Sequence, residues 1–135
     1  MRFLLDTQAW VWSVLDHPRL SRRARDALGT LAADERVGLA AISLKEAAWH
    51  LAHGRLVVSE EFGPWPLWLR RAASAPRIEI LPLTVDIAIE SEHLVESFPS
   101  DPADALIAAT ARVHDLELIT SDRSIRKSKG VATLW

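Results

Sequence analysis

Short apolar runs alternate with helical patterns along this chain. Runs typical of buried parallel strands cover residues 3–5, 37–41, 78–81 and 117–120, and residues 131–134 suggest an edge strand. Helical patterns cover residues 10–15, about 22–33, 44–53, 64–73, 85 to about 95, and 103–114. Strands that alternate with helices predict an α/β fold, a three-layer sandwich in which helices cover both faces of a central, mostly parallel sheet.

Polar residues stand where several of these helices should begin. Ser21, Thr84 and Asp101 are predicted N-caps, and Pro102 follows Asp101 at the favoured first helical position. Ser43 with Glu46 three residues later has the spacing of a capping box. Gly54 is expected to end that helix.

Composition narrows the class of protein. The 135 residues suit a single domain spanning 1–135. The net charge of -2 means that a nucleic-acid partner would need a local basic patch. The chain has no cysteine, which excludes disulfides, thiolate zinc sites and cysteine nucleophiles. With no long apolar run, we expect a soluble, cytoplasmic protein.

Four acidic residues fall at matching ends of the predicted elements. Asp6 and Asp122 follow the first and fourth strands, whereas Glu46 and Asp104 are placed in the first turns of helices. Ligands of open α/β sheets bind beyond the carboxyl ends of the strands, so these side chains are expected to meet there. Each acid alone has an ordinary explanation as a strand end, cap or turn residue. Together they predict a shared acidic site.

Such a site needs a cation. Neighbouring carboxylates raise one another's pKa, and a hard divalent ion relieves the repulsion. Magnesium prefers oxygen ligands, keeps several waters and takes only one or two carboxylates directly. A metal held in this way can activate water and neutralise charge on a phosphodiester.

Four sequence blocks around these acids resemble one known family. They read FLLDT at 3–7, AISLKEAA at 41–48, DPADALIAATA at 101–111 and LITSD at 118–122. In this order they are similar to the PIN-domain ribonucleases, and within them to the VapC-type toxins of toxin–antitoxin pairs. His50, Ala105 and Pro99 stand where that subgroup often carries Lys, Arg and His.

The resemblance implies a magnesium- or manganese-dependent endoribonuclease that acts as a toxin, inhibiting translation or growth until a cognate antitoxin neutralises it. It implies a homodimer and a PIN-like fold. It assigns catalysis and metal binding to Asp6, Glu46, Asp104 and Asp122, with Asp6 and Asp104 in direct contact with the metal. The alternatives are a non-catalytic PIN-like module that binds protein or RNA, and a structure-specific DNA nuclease.

Several neighbours of the acids are candidates for supporting roles. Four of them, Thr7, Ser43, Asp101 and Ser121, are candidates to support the metal site from outside its coordination sphere, although Asp101 is first read as a helix cap. Candidates for RNA contact are Arg123, Arg126, Lys127 and His50. The tryptophans at 10, 12, 49, 65 and 68 are expected in the core or at dimer and antitoxin contacts, with base stacking as the alternative, and Trp135 is expected at the sheet edge.

Overall fold

The predicted strands form one parallel sheet in the computed structural model, which describes residues 1–94 and 96–135. Every pairing is parallel, and the spatial order is β3-β2-β1-β4-β5. The strands are β1 (Phe3–Leu5), β2 (Val37–Ala40), β3 (Ile78–Leu81), β4 (Glu117–Ile119) and β5 (Thr133–Leu134). The α/β fold with a mostly parallel sheet is therefore confirmed.

Burial on both faces of the sheet explains the apolar strand sequences. All three residues of β1 are buried, because the strand lies at the centre of the sheet. Leu5 belongs to an apolar core on one face, and Leu4 to a separate core on the other. In the middle of β2, Gly38 leaves room for Leu4: a Cβ at this position would lie 3.0 Å from Leu4 Cδ1. The sheet is thus the middle layer of a sandwich.

Helices cover both faces and connect successive strands. They are α1 (Thr7–Val14), α2 (Arg22–Gly29), α3 (Ala41–Ala52), a short 3-10 helix (Glu60–Phe62), α4 (Trp65–Ala73), α5 (Val85–Glu92), α6 (Pro102–Val113) and α7 (Arg123–Lys127). Ser21, Thr84 and Asp101 cap α2, α5 and α6 through their side chains, as predicted. None of the helices within the described ranges is long and apolar enough to cross a bilayer.

The predicted capping box at the start of α3 is wrong. β2 runs directly into α3, so the helix begins at Ala41, and Ala40 at the N-cap position makes no side-chain hydrogen bond. Ser43 is fully buried inside the first turn, where it faces another helix instead of the free N–H groups. Glu46 consequently lies in the second turn of α3.

Other element boundaries also differ from the prediction. α2 ends at Gly29, before the expected residue 33, and the C-capping Thr30 N–H closes the final turn. The predicted end of α5 near Val95 lies outside the described residues, and the described helix stops at Glu92. α7 was not predicted. It forms because Asp122 caps a five-residue turn within the basic run.

Candidate active site

The four acids lie around one cavity at the carboxyl edge of the sheet. Asp6, Glu46, Asp104 and Asp122 all line this cavity, which has a volume of about 460 Å³. We call it the acidic cavity. β1 and β4 are adjacent, so the turns that follow them place Asp6 beside Asp122, while α3 and α6 bring the other two acids. The structure therefore assembles the residues that the sequence predicts to meet.

Asp6 is both the end of a strand and the cap of a helix. Its Oδ1 accepts a hydrogen bond of 2.7 Å from the Ala9 N–H in the first turn of α1. Burial of the carboxylate raises the pKa of Asp6 to about 6, against hydrogen bonds from Thr120 and Ala9 that lower it. The charges of Glu46 and Asp122 raise the pKa further. The cavity thus makes ionisation of Asp6 less favourable than in water when no cation is near.

The pKa of Asp104, in the first turn of α6, is raised further than that of Asp6. Burial raises the pKa of Asp104 to about 7, and the charge of Asp101 adds to the shift, followed by those of the other three cavity acids. The side chain is only half-buried, so repulsion between like charges is part of the cause. Asp104 therefore sits where a positive charge would stabilise its ionised form.

The pKa of Asp122 is lowered instead, because its carboxylate caps α7. Its Oδ1 accepts hydrogen bonds from Ser124 N at 2.8 Å, Ser124 Oγ at 2.5 Å and Ile125 N at 3.2 Å. Burial raises the pKa of Asp122, but these hydrogen bonds outweigh burial and the pKa lies below its ordinary value. Asp122 thus lines the cavity as a carboxylate that ionises more readily than usual.

Thr7 fixes the side chain of Glu46. The Thr7 hydroxyl donates to Glu46 Oε1 at 2.5 Å and forms a second hydrogen bond with Ser43 Oγ at 2.9 Å. Ser43 is fully buried, so this chain of hydroxyl groups ties the first turn of α1 to α3. The orientation of Glu46 is consequently set from both helices.

The donor chemistry of the cavity fits a hard divalent cation. All four acids offer carboxylate oxygens, and two of them have pKa values raised partly by their neighbours' charges. Across residues 1–94 and 96–135, however, no three acidic or histidine side chains converge closely enough to form a complete metal-binding group. Asp6 and Asp122 each commit one oxygen to a helix cap, and Glu46 commits one to Thr7. The arrangement suits an ion that is bound by few carboxylates and several waters.

The other predicted site residues divide between this cavity and its surroundings. Thr7, Ser121 and His50 line the acidic cavity. Asp101 caps α6, accepting from Ala103 N at 2.9 Å and Asp104 N at 3.1 Å, and does not line the cavity. The basic residues after Asp122 face elsewhere: Arg123, Arg126 and Lys127 line a neighbouring cavity.

The tryptophans take several different environments. Trp10 and Trp68 are buried in the core, whereas Trp49 and Trp65 are more than one-third exposed. The Trp49 ring stacks on the ring of His53 and meets the ring of His50 edge-on, and His50 also lines the acidic cavity.

Sequence reasoning missed two residues at the site. Thr120 is fully buried, donates to the Asp6 carboxylate and accepts from Asp122 N at 3.1 Å, so it connects the two adjacent acids. Arg55 also lines the acidic cavity, and its guanidinium lies 5.1 Å from the centre of the Trp49 ring.

Comparisons with known proteins agree with this fold. The PIN domain family model matches residues 3–130. Ribonuclease VapC22 of Mycobacterium tuberculosis is 36% identical over 134 residues, covering 98% of this chain and 97% of that protein.

Solved structures are similar along the whole length. VapBC2 from Rickettsia felis, bound to a DNA fragment from its promoter, gives a TM-score of 0.72 at 18% identity, covering 99% of this chain and 98% of that one. The sarcin-ricin loop cleaving toxin VapC20 of Mycobacterium tuberculosis gives a TM-score of 0.60 at 16% identity, covering 96% of this chain and 98% of that one. At such identities the likeness concerns the fold.

Proposed function

Since the chain belongs to the PIN-domain family, we propose that it is a metal-dependent endoribonuclease with its active site in the acidic cavity. One observation carries the proposal: four carboxylates line a single cavity, and the pKa of two of them is raised, to about 6 in Asp6 and about 7 in Asp104. The proposed catalytic residues are Asp6, Glu46, Asp104 and Asp122.

The proposed cofactor is magnesium, with manganese as a substitute. Asp6 and Asp104 are the proposed direct ligands, because their ionised forms gain most from a neighbouring cation. Glu46 and Asp122 would hold the metal's waters or a second ion. When bound, the metal supplies Lewis acidity, which activates water and neutralises charge on the phosphodiester.

Residues around the acids hold their carboxylates in place and are positioned to contact an anionic strand. Thr7 and Thr120 hold the carboxylates of Glu46 and Asp6 through hydroxyl groups, so that neither acid turns freely. Arg55 and His50 line the same cavity and can contact a phosphate or base. These contacts would position a strand across the acids.

The proposed biological role is that of a toxin in a toxin–antitoxin pair. The support is the 36% identity with a ribonuclease of the VapC group and the structural likeness to toxin–antitoxin complexes. We further propose a single catalytic domain over residues 1–135, a homodimer and a protein antitoxin. The exposed Trp49 and Trp65 are suitable contact residues for such partners.

Cleavage by acid-to-amide variants tests the enzymatic part. End-labelled single-stranded RNA and DNA would be incubated in parallel with wild type and Asp104→Asn, in Mg²⁺, Mn²⁺ or EDTA. We expect wild type to cut RNA internally with metal and not in EDTA, and Asp104→Asn to lose the activity. Asp86→Asn, the same change in the exposed first turn of α5, is the matched control. Cleavage by Asp104→Asn at the wild-type rate would refute the site, and RNA binding without cleavage would favour a binding module.

Growth tests the toxin part. Expression of the wild type should arrest growth, and expression of Asp104→Asn should not. Co-expression of a small DNA-binding protein encoded beside this gene should restore growth and co-purify with the wild type. Unimpaired growth on expression of active ribonuclease would refute the toxin role while leaving the enzyme assignment in place.

A further inference from the structure

A second cavity, of opposite charge, lies beside the acidic cavity. Its volume is about 500 Å³, and the lining residues with ionisable side chains are all cationic. They come from two segments far apart in sequence, α2 and α7, which the fold brings together. The lining consists of Arg23, Arg123, Arg126, Lys127, Thr133 and Trp135, and we call this the basic cavity.

In the part of the chain that the structure describes, the cations of the basic cavity differ from several other arginines in having no carboxylate partner. Within the described ranges, none of Arg23, Arg123, Arg126 or Lys127 belongs to a salt bridge. Other arginines do have carboxylate partners: Arg2 with Glu35, Arg22 with Asp26, Arg25 with Asp16 and Arg112 with Glu90. The contrast is sharpest on α2, where Arg22 pairs with an acid and the adjacent Arg23 faces the cavity. Four such cations around one concavity create a positive potential that attracts an external anion.

The two cavities share a wall. Helix α7 contributes Ile125 to the acidic cavity and Arg126 to the basic cavity. On the other side Trp12 lines the acidic cavity and Trp135 the basic cavity, with ring centroids 5.8 Å apart and planes tilted by 45°. Arg126 follows Asp122 by about one helical turn, roughly 6 Å along the axis, so the cations begin close to the acids.

We propose that the basic cavity is a subsite for RNA, which holds backbone phosphates next to the bond that is cut. This inference rests on the proposed ribonuclease function and extends it. Cations suit phosphates, and the half-buried indole of Trp135 offers a surface on which a base can stack. An acidic protein segment would use the charges but has no need of an aromatic surface beside a nuclease centre. RNA is therefore the occupant that the cavity fits best.

Binding measured without cleavage tests this subsite directly. Fluorescence anisotropy would follow a labelled single-stranded RNA of about a dozen nucleotides, a length within the usual range of single-strand sites. EDTA would be present to prevent cutting. Arg23→Ala would be compared with Arg22→Ala, and Arg126→Ala with Lys129→Ala. Each control removes one positive charge close in sequence to the tested residue, at an exposed position that does not line the cavity.

The expected effects follow from counterion release. Removal of one cation that pairs with a phosphate lowers the slope of log affinity against log salt by about 0.7 for a single strand, which is about fourfold in affinity near 0.15 M salt. Arg23→Ala and Arg126→Ala should each show this decrease, and the double variant about sixteenfold. Arg22→Ala and Lys129→Ala should stay near wild type. Arg23→Lys, which keeps the charge, should recover most of the affinity.

The outcomes separate this proposal from the ribonuclease assignment. Equal decreases in affinity for Arg23→Ala and Arg22→Ala, or none in either, would overturn the subsite even if the enzyme cuts RNA. Loss of antitoxin binding with unchanged RNA affinity would also overturn it and make the cavity a protein-docking surface. If wild type fails to cut any RNA but only the cavity variants lose binding, the subsite stands and the proposed catalysis falls.

Discussion

Replacement of Asp104 by Asn should stabilise the metal-free protein above neutral pH, although the same change is expected to abolish cleavage. The pKa of Asp104 rises from an ordinary 3.8 to about 7 in the folded protein, mainly because of burial and then the charges of Asp101 and Asp122. The folded state therefore resists ionisation of this carboxyl more than the unfolded state does. Asparagine has nearly the same shape and carries no charge.

The size of the effect follows from the pKa values. A difference of one in pKa is worth about 1.4 kcal/mol, so the full difference between 3.8 and about 7 corresponds to roughly 4 kcal/mol. Asp104 is only half-buried, and solvent screening reduces this to about 1–2 kcal/mol. Loss of a negative charge from the first turn of α6 opposes the gain by about 0.3–1 kcal/mol. A net stabilisation of about 1 kcal/mol remains.

The pH dependence gives the direction of the effect. Below about pH 4 the carboxyl is protonated in both the folded and the unfolded state, and wild type carries no penalty. As pH rises towards 7, only the unfolded state ionises readily, so the stability of wild type should fall relative to Asp104→Asn. Above pH 7 the difference should be constant.

Urea denaturation in EDTA measures the difference, at about pH 8 and at about pH 4. Asp86→Asn reports the dipole contribution, because Asp86 is an exposed acid in the first turn of α5. Added Mg²⁺ should reverse the order at pH 8, since an ion that binds only the folded wild type stabilises it by mass action. The reasoning fails if metal-free Asp104→Asn is no more stable than wild type at pH 8 after correction by Asp86→Asn.

Three further substitutions test the structural roles of single residues. Thr7→Val removes the hydroxyl that holds Glu46 and should lower cleavage about 10-fold to 100-fold, with the rate at saturating metal as the readout; an unchanged rate would contradict that role. Asp122→Ala should lower the free energy of unfolding, measured by urea denaturation, by about 1 kcal/mol because α7 then has no side-chain cap. Asp122→Asn should keep most of the wild-type stability, because asparagine also caps helices. Gly38→Ala should lower the free energy of unfolding by about 1–3 kcal/mol, because the new methyl group would press on Leu4. A thermal midpoint equal to that of wild type would show that the Leu4 side chain can move aside without cost.

Most of the fold was predictable because local signals and tertiary packing agree. The run at 3–5 is apolar at every position, which suits the centre of a parallel sheet, and β1 lies there. Thr84 and Asp101 cap helices as their sequence context predicts. Asp6 and Asp122 meet because parallel strands present their carboxyl ends at one edge.

Features that depend on distant segments escaped prediction. Ser43 has the local pattern of a cap, but β2 enters α3 without a loop, and the hydroxyl bonds to Thr7 from another helix. Thr120 has no sequence signal for its position between two acids. The basic cavity needs Arg23 beside α7, and only the packing of the chain shows that proximity.

The capping role of two proposed catalytic acids also bears on how the proposed activity can be lost in evolution. Asparagine caps a helix about as well as aspartate, and the codons for the two differ by a single base. One base change at Asp6 or Asp122 can therefore remove a charge from the acidic cavity while α1 and α7 keep their caps. If the proposed function holds, such changes would yield folded proteins without nuclease activity. Under the proposed function, loss of activity would thus need neither truncation nor misfolding of the chain.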